Sequence, residues 1–538
     1  ISPTKGHNRR RNRRMVPHQI GGQPTWLLSL IVIVFALVSM SYIGLFAIHH
    51  GQDETSVLQD TNDNQNDSGR AQVGVAHVAK KKKKQQQQQQ QQQQKEREEG
   101  NEKERKLSRP ELRKLAEERQ AEYEKLPGEE VKTIHDSAFT DLLRKLHQNK
   151  LQHRDLFSSQ DPLFVPFNET IAKSSQDIVK KDKHGNIVYK PITSISKEDL
   201  ERLGVDSDAA QNTTYEQAIQ GRERLVNILH EAGITDMDVA SILSLPLWSS
   251  VTKLYGNGPV VLGLEHCQEF QTNHVRFPLW DASIGTAGLF NTGTNPFAMY
   301  LENNCILPDN KSDKAHGMRW QVPWGKHTLA SRRLNNTAGR DWLVNKTTVM
   351  PIVLVRDPYS WMQSMCKHPY EAKWPHNQRC PNLAKTNSKS HVRSNDNDKL
   401  PETVPVHVRY KPYAKFDSLA HFWAAWYKQY LEADYPRLIV RFEDMQFHAK
   451  ELLETVCKCA GAVPRHDDKV FRYVVDAAKW GPAHTKSTNN MVTAMIKYGT
   501  DKERFKGMNN DDLKVAKSVL IPEFMDLFGY ELPPESLE

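Results

Sequence analysis

Two short stretches hold residues whose types and spacing can grip a phosphate. GLFNTGTN, residues 288–295, combines Gly288 and Gly293 with the hydroxyls of Thr292 and Thr294. Ser283–Phe290 reads as a strand and Asn291–Asn295 as a turn; Pro296 then suits the first turn of a helix, NPFAMYLENNC. A strand, a glycine turn and a helix N-terminus make an anion site, because unpaired N–H groups and the helix dipole point into it. The two glycines keep the spacing of the triphosphate loop G-x-x-x-x-G-K-[ST], but Thr294 stands where the lysine belongs. An NTPase is therefore a poor reading, and an ordinary turn is the competitor.

The second stretch is VLVRDPYSWMQS, residues 353–364. Arg356 ends an apolar run, and Asp357 and Pro358 are good N-cap and first-turn residues. Ser364 lies about two turns beyond Asp357, on the same helix side. Arginine and hydroxyl can together hold one phosphate; a capped helix with a structural arginine is the alternative.

The elements that must position these residues follow from the apolar pattern. PVVLGL at 259–264, VMPIVLV at 349–355 and RLIVRF at 437–442 are near-continuous apolar runs separated by helical stretches. That texture predicts an α/β domain over 257–538, with a parallel sheet flanked by helices. DLLRKLHQ at 141–148 and RERLVNILHEAG at 222–233 have helical spacing, so 130–256 reads as a mostly helical N-terminal region.

Further upstream, residues 26–48 carry no charge and as a helix would span about 35 Å. The basic tail 1–25 before them predicts a cytosolic N-terminus, a single transmembrane signal anchor and a lumenal remainder. A cleaved signal peptide and a buried helix are the rival readings. Residues 49–129, with the lysine run 80–84 and ten glutamines at 85–94, read as a disordered stem ending in a charged helix. The chain opens on Ile1 rather than Met, so a preceding segment is expected. The net charge of +8 gathers largely in the tail and the lysine run, so nucleic acid is not an expected partner.

All six cysteines, Cys267, Cys305, Cys366, Cys380, Cys457 and Cys459, follow the anchor, and six permit 15 pairings. Cys366 and Cys380 bracket a proline-containing loop and are the favoured pair; Cys457 and Cys459 read as free or structural thiols. Six glycosylation sequons, at Asn66, Asn168, Asn212, Asn310, Asn335 and Asn345, agree with a lumenal chain.

Taken in order, the motifs resemble the sulfotransferase family. Arg356-Asp-Pro with Ser364 is similar to the element that grips the 3′-phosphate of 3′-phosphoadenosine-5′-phosphosulfate (PAPS), and GLFNTGTN to the 5′-phosphosulfate loop about 65 residues earlier. RLIVRFEDM at 437–445 and FMDLFGYEL at 524–532 resemble later family segments. The resemblance covers residues 280–532. It implies the P-loop-like sulfotransferase fold and a PAPS-dependent transfer to a glycan or glycoprotein hydroxyl, without a metal. It also implies a Golgi, single-pass type II protein; a homodimer is allowed. The cofactor-binding residues would be Asn291, Thr292, Gly293, Thr294, Asn295, Arg356 and Ser364.

One departure stands out. The family loop carries Lys or Arg where this chain has Asn291, and losing such a donor typically costs about 10²–10³ in rate. QVPWGKHTLASRR, residues 321–333, offers substitutes. Lys326 would replace the loop cation and His327 would be the base, its ordinary pKa near 6.5 suiting proton transfer. Arg332 and Arg333 would meet an anionic acceptor, and Trp320 and Trp324 would stack on sugar or adenine; a solvated basic loop is the alternative. Lys497, Gly499, Arg504 and Lys506 fall where the family places a basic loop over the 3′-phosphate. An impaired enzyme that binds nucleotide or glycan, and an anchored lumenal tether, remain as other functions.

Overall fold

Val349–Val355 is buried along its whole length and forms the centre of the sheet. The computed structural model describes residues 135–153, 212–275, 282–308, 315–338, 344–377, 379–385, 400–410, 413–475, 490–501 and 504–537, with isolated positions between them. The chain divides into units 1–102 and 103–538; the first lies wholly outside the described residues.

The main sheet contains β1 (Val261–Leu262), β2 (Ser283–Gly288), β3 (Met318–Arg319), β4 (Val349–Val355) and β5 (Leu438–Arg441), in the order β1-β5-β4-β2-β3. β2 to β5 run parallel, whereas β1 pairs antiparallel with β5. The sheet is thus mostly parallel, with one antiparallel edge strand. PVVLGL yields only a two-residue edge strand, because Gly263, at φ 89°, turns the chain away against the Arg437 carbonyl.

The helices used below are α1 (Ser137–His153), α2 (Cys267–Val275), α3 (Thr294–Asn304), α4 (Pro358–Lys367), α5 (Leu419–Leu431), α6 (Ala449–Cys459), α7 (Met491–Tyr498) and α8 (Pro522–Phe528). Four more helices lie between Tyr215 and Tyr255. α5 backs onto β4: Trp423 Nε1 donates to the Arg356 carbonyl at 3.0 Å and the Tyr427 hydroxyl to the Leu354 carbonyl at 2.7 Å. A second sheet joins Glu129–Glu130, Ala414–Phe416, Val406–Val408 and Ala372–Lys373, in that order.

Among the described residues no helix is long and apolar enough to cross a membrane. α1 has 17 residues and carries Asp141, Arg144, Lys145 and Lys150, short of the roughly 20 apolar residues a span requires. The expected fold is therefore corrected, among the described residues, to a mixed α/β domain with a mostly parallel sheet and no spanning helix. Segment 26–48 and nearly all of 49–129 lie outside the described residues.

Disulfides join Cys267 to Cys459, Cys305 to Cys457 and Cys366 to Cys380. Cys457 and Cys459 are thus not free thiols: they tie α6 to the start of α2 and the end of α3. Of the described sequons, Asn212, Asn335 and Asn345 are exposed. Asn310 is 2% exposed and donates its amide to the Ala282 carbonyl, which leaves it closed to a glycan.

Candidate functional site

β2 is rich in glycine and alanine because another backbone lies against it. A Cβ on Gly285 would meet the Gln321 backbone at 3.0 Å. Val322 N donates to the Thr286 carbonyl at 3.1 Å, and Gly288 N to the Lys326 carbonyl at 2.8 Å. The chain from β3 therefore runs alongside β2 and delivers Lys326 and His327 to the mouth of the loop.

Loop 289–293 turns sharply, with Asn291 at φ 62° and Gly293 at φ 77°. Gly293 must be glycine: a Cβ there would stand 2.5 Å from the Phe442 ring. Thr292 is buried and closes the turn by donating to the Leu289 carbonyl at 2.8 Å. Thr294 and Asn295 open α3, whose N-cap residue Gly293 supplies no side-chain hydrogen bond. The leading N–H groups of α3 thus keep their affinity for an anion.

Lys326 Nζ donates to Asn295 Oδ1 in that first turn, and it lies over the Trp320 ring at 5.2 Å. A cation does stand beside the loop, brought by the neighbouring chain. His327 Nδ1 is 2.7 Å from the Gly288 carbonyl. A carbonyl only accepts, so Nδ1 carries the hydrogen and Nε2 is the basic nitrogen of the neutral ring.

Arg356 leaves β4 and is 3% exposed. Its Nη1 donates to the Asn291 carbonyl at 2.8 Å and its Nη2 to the Ser360 carbonyl at 3.2 Å. The guanidinium lies between the Phe442 and Tyr498 rings, at 4.8 and 4.7 Å, and its Nε is buried without a hydrogen-bond partner. Asp357 caps α4 by accepting from Ser360 N at 2.8 Å.

The Asn291 side chain is not aimed at the loop's anion site. Its amide donates to the carbonyls of His368 and Ser364 at 2.9 and 3.3 Å. Only its backbone belongs to the loop, which corrects its expected role as a phosphate donor. Ser364, also expected at a phosphate, sits against Asn291; the α4 hydroxyl lining the neighbouring cleft is Ser360.

That cleft is basic. Lys367, Lys497, Arg504 and Lys506 line it together with Ser360 and Tyr498. Arg504 donates to Asp357 at 2.7 Å, so α4 and the C-terminal loop form one wall. Burial raises the Tyr498 phenol, but Arg356 and Lys497 outweigh it and leave its pKa below the ordinary value. This depression records the positive potential. Gly499 packs on Pro246. Sequence spacing pointed to the C-terminal cations but missed Lys367, because its proximity follows only from the direction of α4.

Other expected ligands are structural. Trp324 is fully buried and donates to the Tyr430 hydroxyl at 3.1 Å. Arg333 lies over Tyr435 at 4.0 Å and donates to the Lys346 carbonyl, while Arg332 lies over Tyr410. Within RLIVRFEDM, buried Arg441 pairs with Asp444 and donates to the carbonyls of Gly258, Phe528 and Gly529. Glu443 accepts from Asp357 N at 3.1 Å and the Tyr530 hydroxyl at 3.0 Å. This motif clamps the C-terminal α8 segment under the site rather than touching a ligand.

Among the described residues no group of three or more His, Cys, Asp or Glu side chains is placed to hold a metal ion. No family model matches the chain, and neither a curated protein nor a solved structure matches it.

Proposed function

We propose that this chain transfers a sulfuryl group from PAPS to a hydroxyl of a glycan. The observation that carries the reading is the meeting of Lys326, His327 and Arg356 at the uncapped start of α3. The N–H groups of α3 and Lys326 would hold the 5′-phosphosulfate, and the basic cleft beside Arg356 the second phosphate. His327 Nε2 would take the acceptor's proton as its oxygen bonds to sulfur. The sulfur–oxygen bond to the 5′-phosphate breaks in line, and Lys326 stabilises the charge left on that phosphate. Three disulfides suit an oxidising lumen, such as that of the Golgi.

A second reading, binding of nucleotide or glycan without transfer, rests on Asn291, which brings no cation to the loop. Two measurements on the full chain separate the readings. Calorimetry with adenosine 3′,5′-bisphosphate is expected to show micromolar affinity, about −8 kcal/mol. Incorporation of label from ³⁵S-PAPS into a glycan library is expected above a heat-inactivated control. Binding without incorporation supports the second reading, and no binding by folded protein refutes both uses of the nucleotide site.

A further inference from the structure

Cys366 and Cys380 differ from the other four cysteines. Cys267, Cys305, Cys457 and Cys459 are at most 1% exposed, and their two bonds lie within the packing of α2, α3 and α6. Cys366 and Cys380 are both only half-buried. Thiol exchange requires a thiolate to reach a sulfur, so access makes this bond the first to be reduced. The fold also depends on it least. Its cysteines are 14 residues apart, against 152 and 192 for the others, and a short loop restrains the unfolded chain less.

The bond joins two blocks that face each other across the basic cleft. Cys366 lies in the last turn of α4. That helix is fastened to the phosphate loop: the Asn291 amide donates to the Ser364 and His368 carbonyls, and Trp361 Nε1 donates to the Phe290 carbonyl at 2.7 Å. Cys380 belongs to the C-terminal block. Its carbonyl lies so close to Gly507 that a Cβ there would collide with it, so the 504–508 turn packs directly on Cys380. Leu383 N and Ala384 N donate to Asp512 Oδ1 at 2.7 and 2.9 Å, in the first turn of the helix Asn510–Val519.

α4 brings Ser360, Gln363 and Lys367 to the cleft, and the C-terminal block brings Arg504 and Lys506. At the start of α4 the buried pair Arg504–Asp357, at 2.7 Å, holds the blocks together. Towards its end the ties are the Gln363 amide donating to the Lys506 carbonyl at 2.6 Å and the Cys366–Cys380 bond. We propose that this disulfide is a reducible latch: a dithiol opens it, the end of α4 parts from the 504–508 turn, and the cleft loses affinity for its anion. The loss of affinity rests on the nucleotide reading above. A thiolate of the dithiol attacks one sulfur, the bond to the other breaks, and the departing thiolate takes a proton. The second thiol then displaces the remaining cysteine and closes the dithiol to a cyclic disulfide. Two electrons and two protons thus pass to Cys366 and Cys380. Arg504–Asp357 is untouched, so the cleft loosens at one end and binding weakens without vanishing.

The test uses the full chain, oxidised or treated with graded dithiothreitol. Alkylation and peptide mass spectrometry should find label at Cys366 and Cys380 at concentrations that leave the other four cysteines protected. Amide exchange over 504–508 should then accelerate about tenfold. The Kd for adenosine 3′,5′-bisphosphate, by equilibrium dialysis, should rise about tenfold, and reoxidation should reverse both changes. The double variant Cys366→Ala, Cys380→Ala should match the reduced parent and shift less than twofold on adding dithiothreitol. Thermal melts show whether it folds, and the parent's own reduction and reoxidation give the same comparison without a substitution. The proposal is overturned if the buried pairs are reduced at the same concentrations. It is also overturned if exchange or Kd of the reduced parent stays within twofold, or if the folded double variant still responds to dithiothreitol. If the oxidised parent does not bind the bisphosphate, the nucleotide reading fails, while labelling and exchange still decide the latch.

Discussion

Replacing Lys326 by methionine removes one charge and keeps most of the stem that lies over Trp320. The ammonium already sits within hydrogen-bond contact of the first turn of α3, through Asn295. A phosphate oxygen received at that turn would stand about 4 Å from it, an attraction of about 4 kcal/mol at an effective dielectric near 20. Water reaches this half-buried side chain and screens much of that in the bound ground state. Nucleotide affinity should therefore fall only about tenfold. The leaving phosphate gains charge during transfer, so the rate should fall further, by about 10²–10³. Calorimetry with adenosine 3′,5′-bisphosphate gives the first quantity and single-turnover transfer the second. A variant within threefold of the parent in both would refute the reasoning. Restoring lysine at the loop, with Asn291→Lys in the Lys326→Met background, should not recover the rate. Lysine at φ 62° is strained by about 1–2 kcal/mol, and the two bonds to α4 are lost.

Three further outcomes follow from the packing. Glu443 is pushed up to about 7 by burial and then by the Asp357 carboxylate, against an ordinary 4.5. The folded chain therefore binds this proton more tightly than the unfolded one. The stabilisation is complete below pH 4.5 and is lost as pH rises through 7, by about 3 kcal/mol at most; Glu443→Gln should flatten that part of the denaturant-midpoint profile. Gly293→Ala places a Cβ against Phe442 in a left-handed position and should cost about 3 kcal/mol, measured by urea unfolding. Removing Cys305–Cys457 as a double alanine variant should cost about 4 kcal/mol in the same assay, because Cys267–Cys459 already closes the outer loop.

The central strand and the start of α4 were legible because they depend on local chemistry. Val349–Val355 is an uninterrupted apolar run, and Asp357-Pro358 caps and opens the helix as such residues do. What the sequence hid depends on contacts between distant segments. β2 looks weak by composition, yet its small residues are what let the 321–322 backbone lie against it. Arg333 and Trp324 have the residue types of a ligand site, but each spends its chemistry inside the fold. The cysteines at 457 and 459 gave no sign of pairing, since their partners lie 152 and 192 residues away. The antiparallel pairing of β1 with β5 is likewise a contact between distant segments that the apolar run alone does not reveal.

Asn291 is the sharpest case, because two separate geometries meet at its loop. A cation at position 291 would project from a left-handed residue whose side chain points at the end of α4. Strong hydrogen-bond acceptors lie there, and a short amide can satisfy two of them without strain. The charge is then needed elsewhere, and the backbone pairing of Gly288 with Lys326 brings the 326–327 dipeptide to the loop mouth. Cation and imidazole consequently arrive as neighbours on one segment, fixed by main-chain bonds to β2. In the fold the two positions do different things: 291 ties the loop to the end of α4, and 326 stands at the first turn of α3. Mutation can address the two positions separately, because the Asn291 amide donates to the end of α4 and Lys326 Nζ to Asn295.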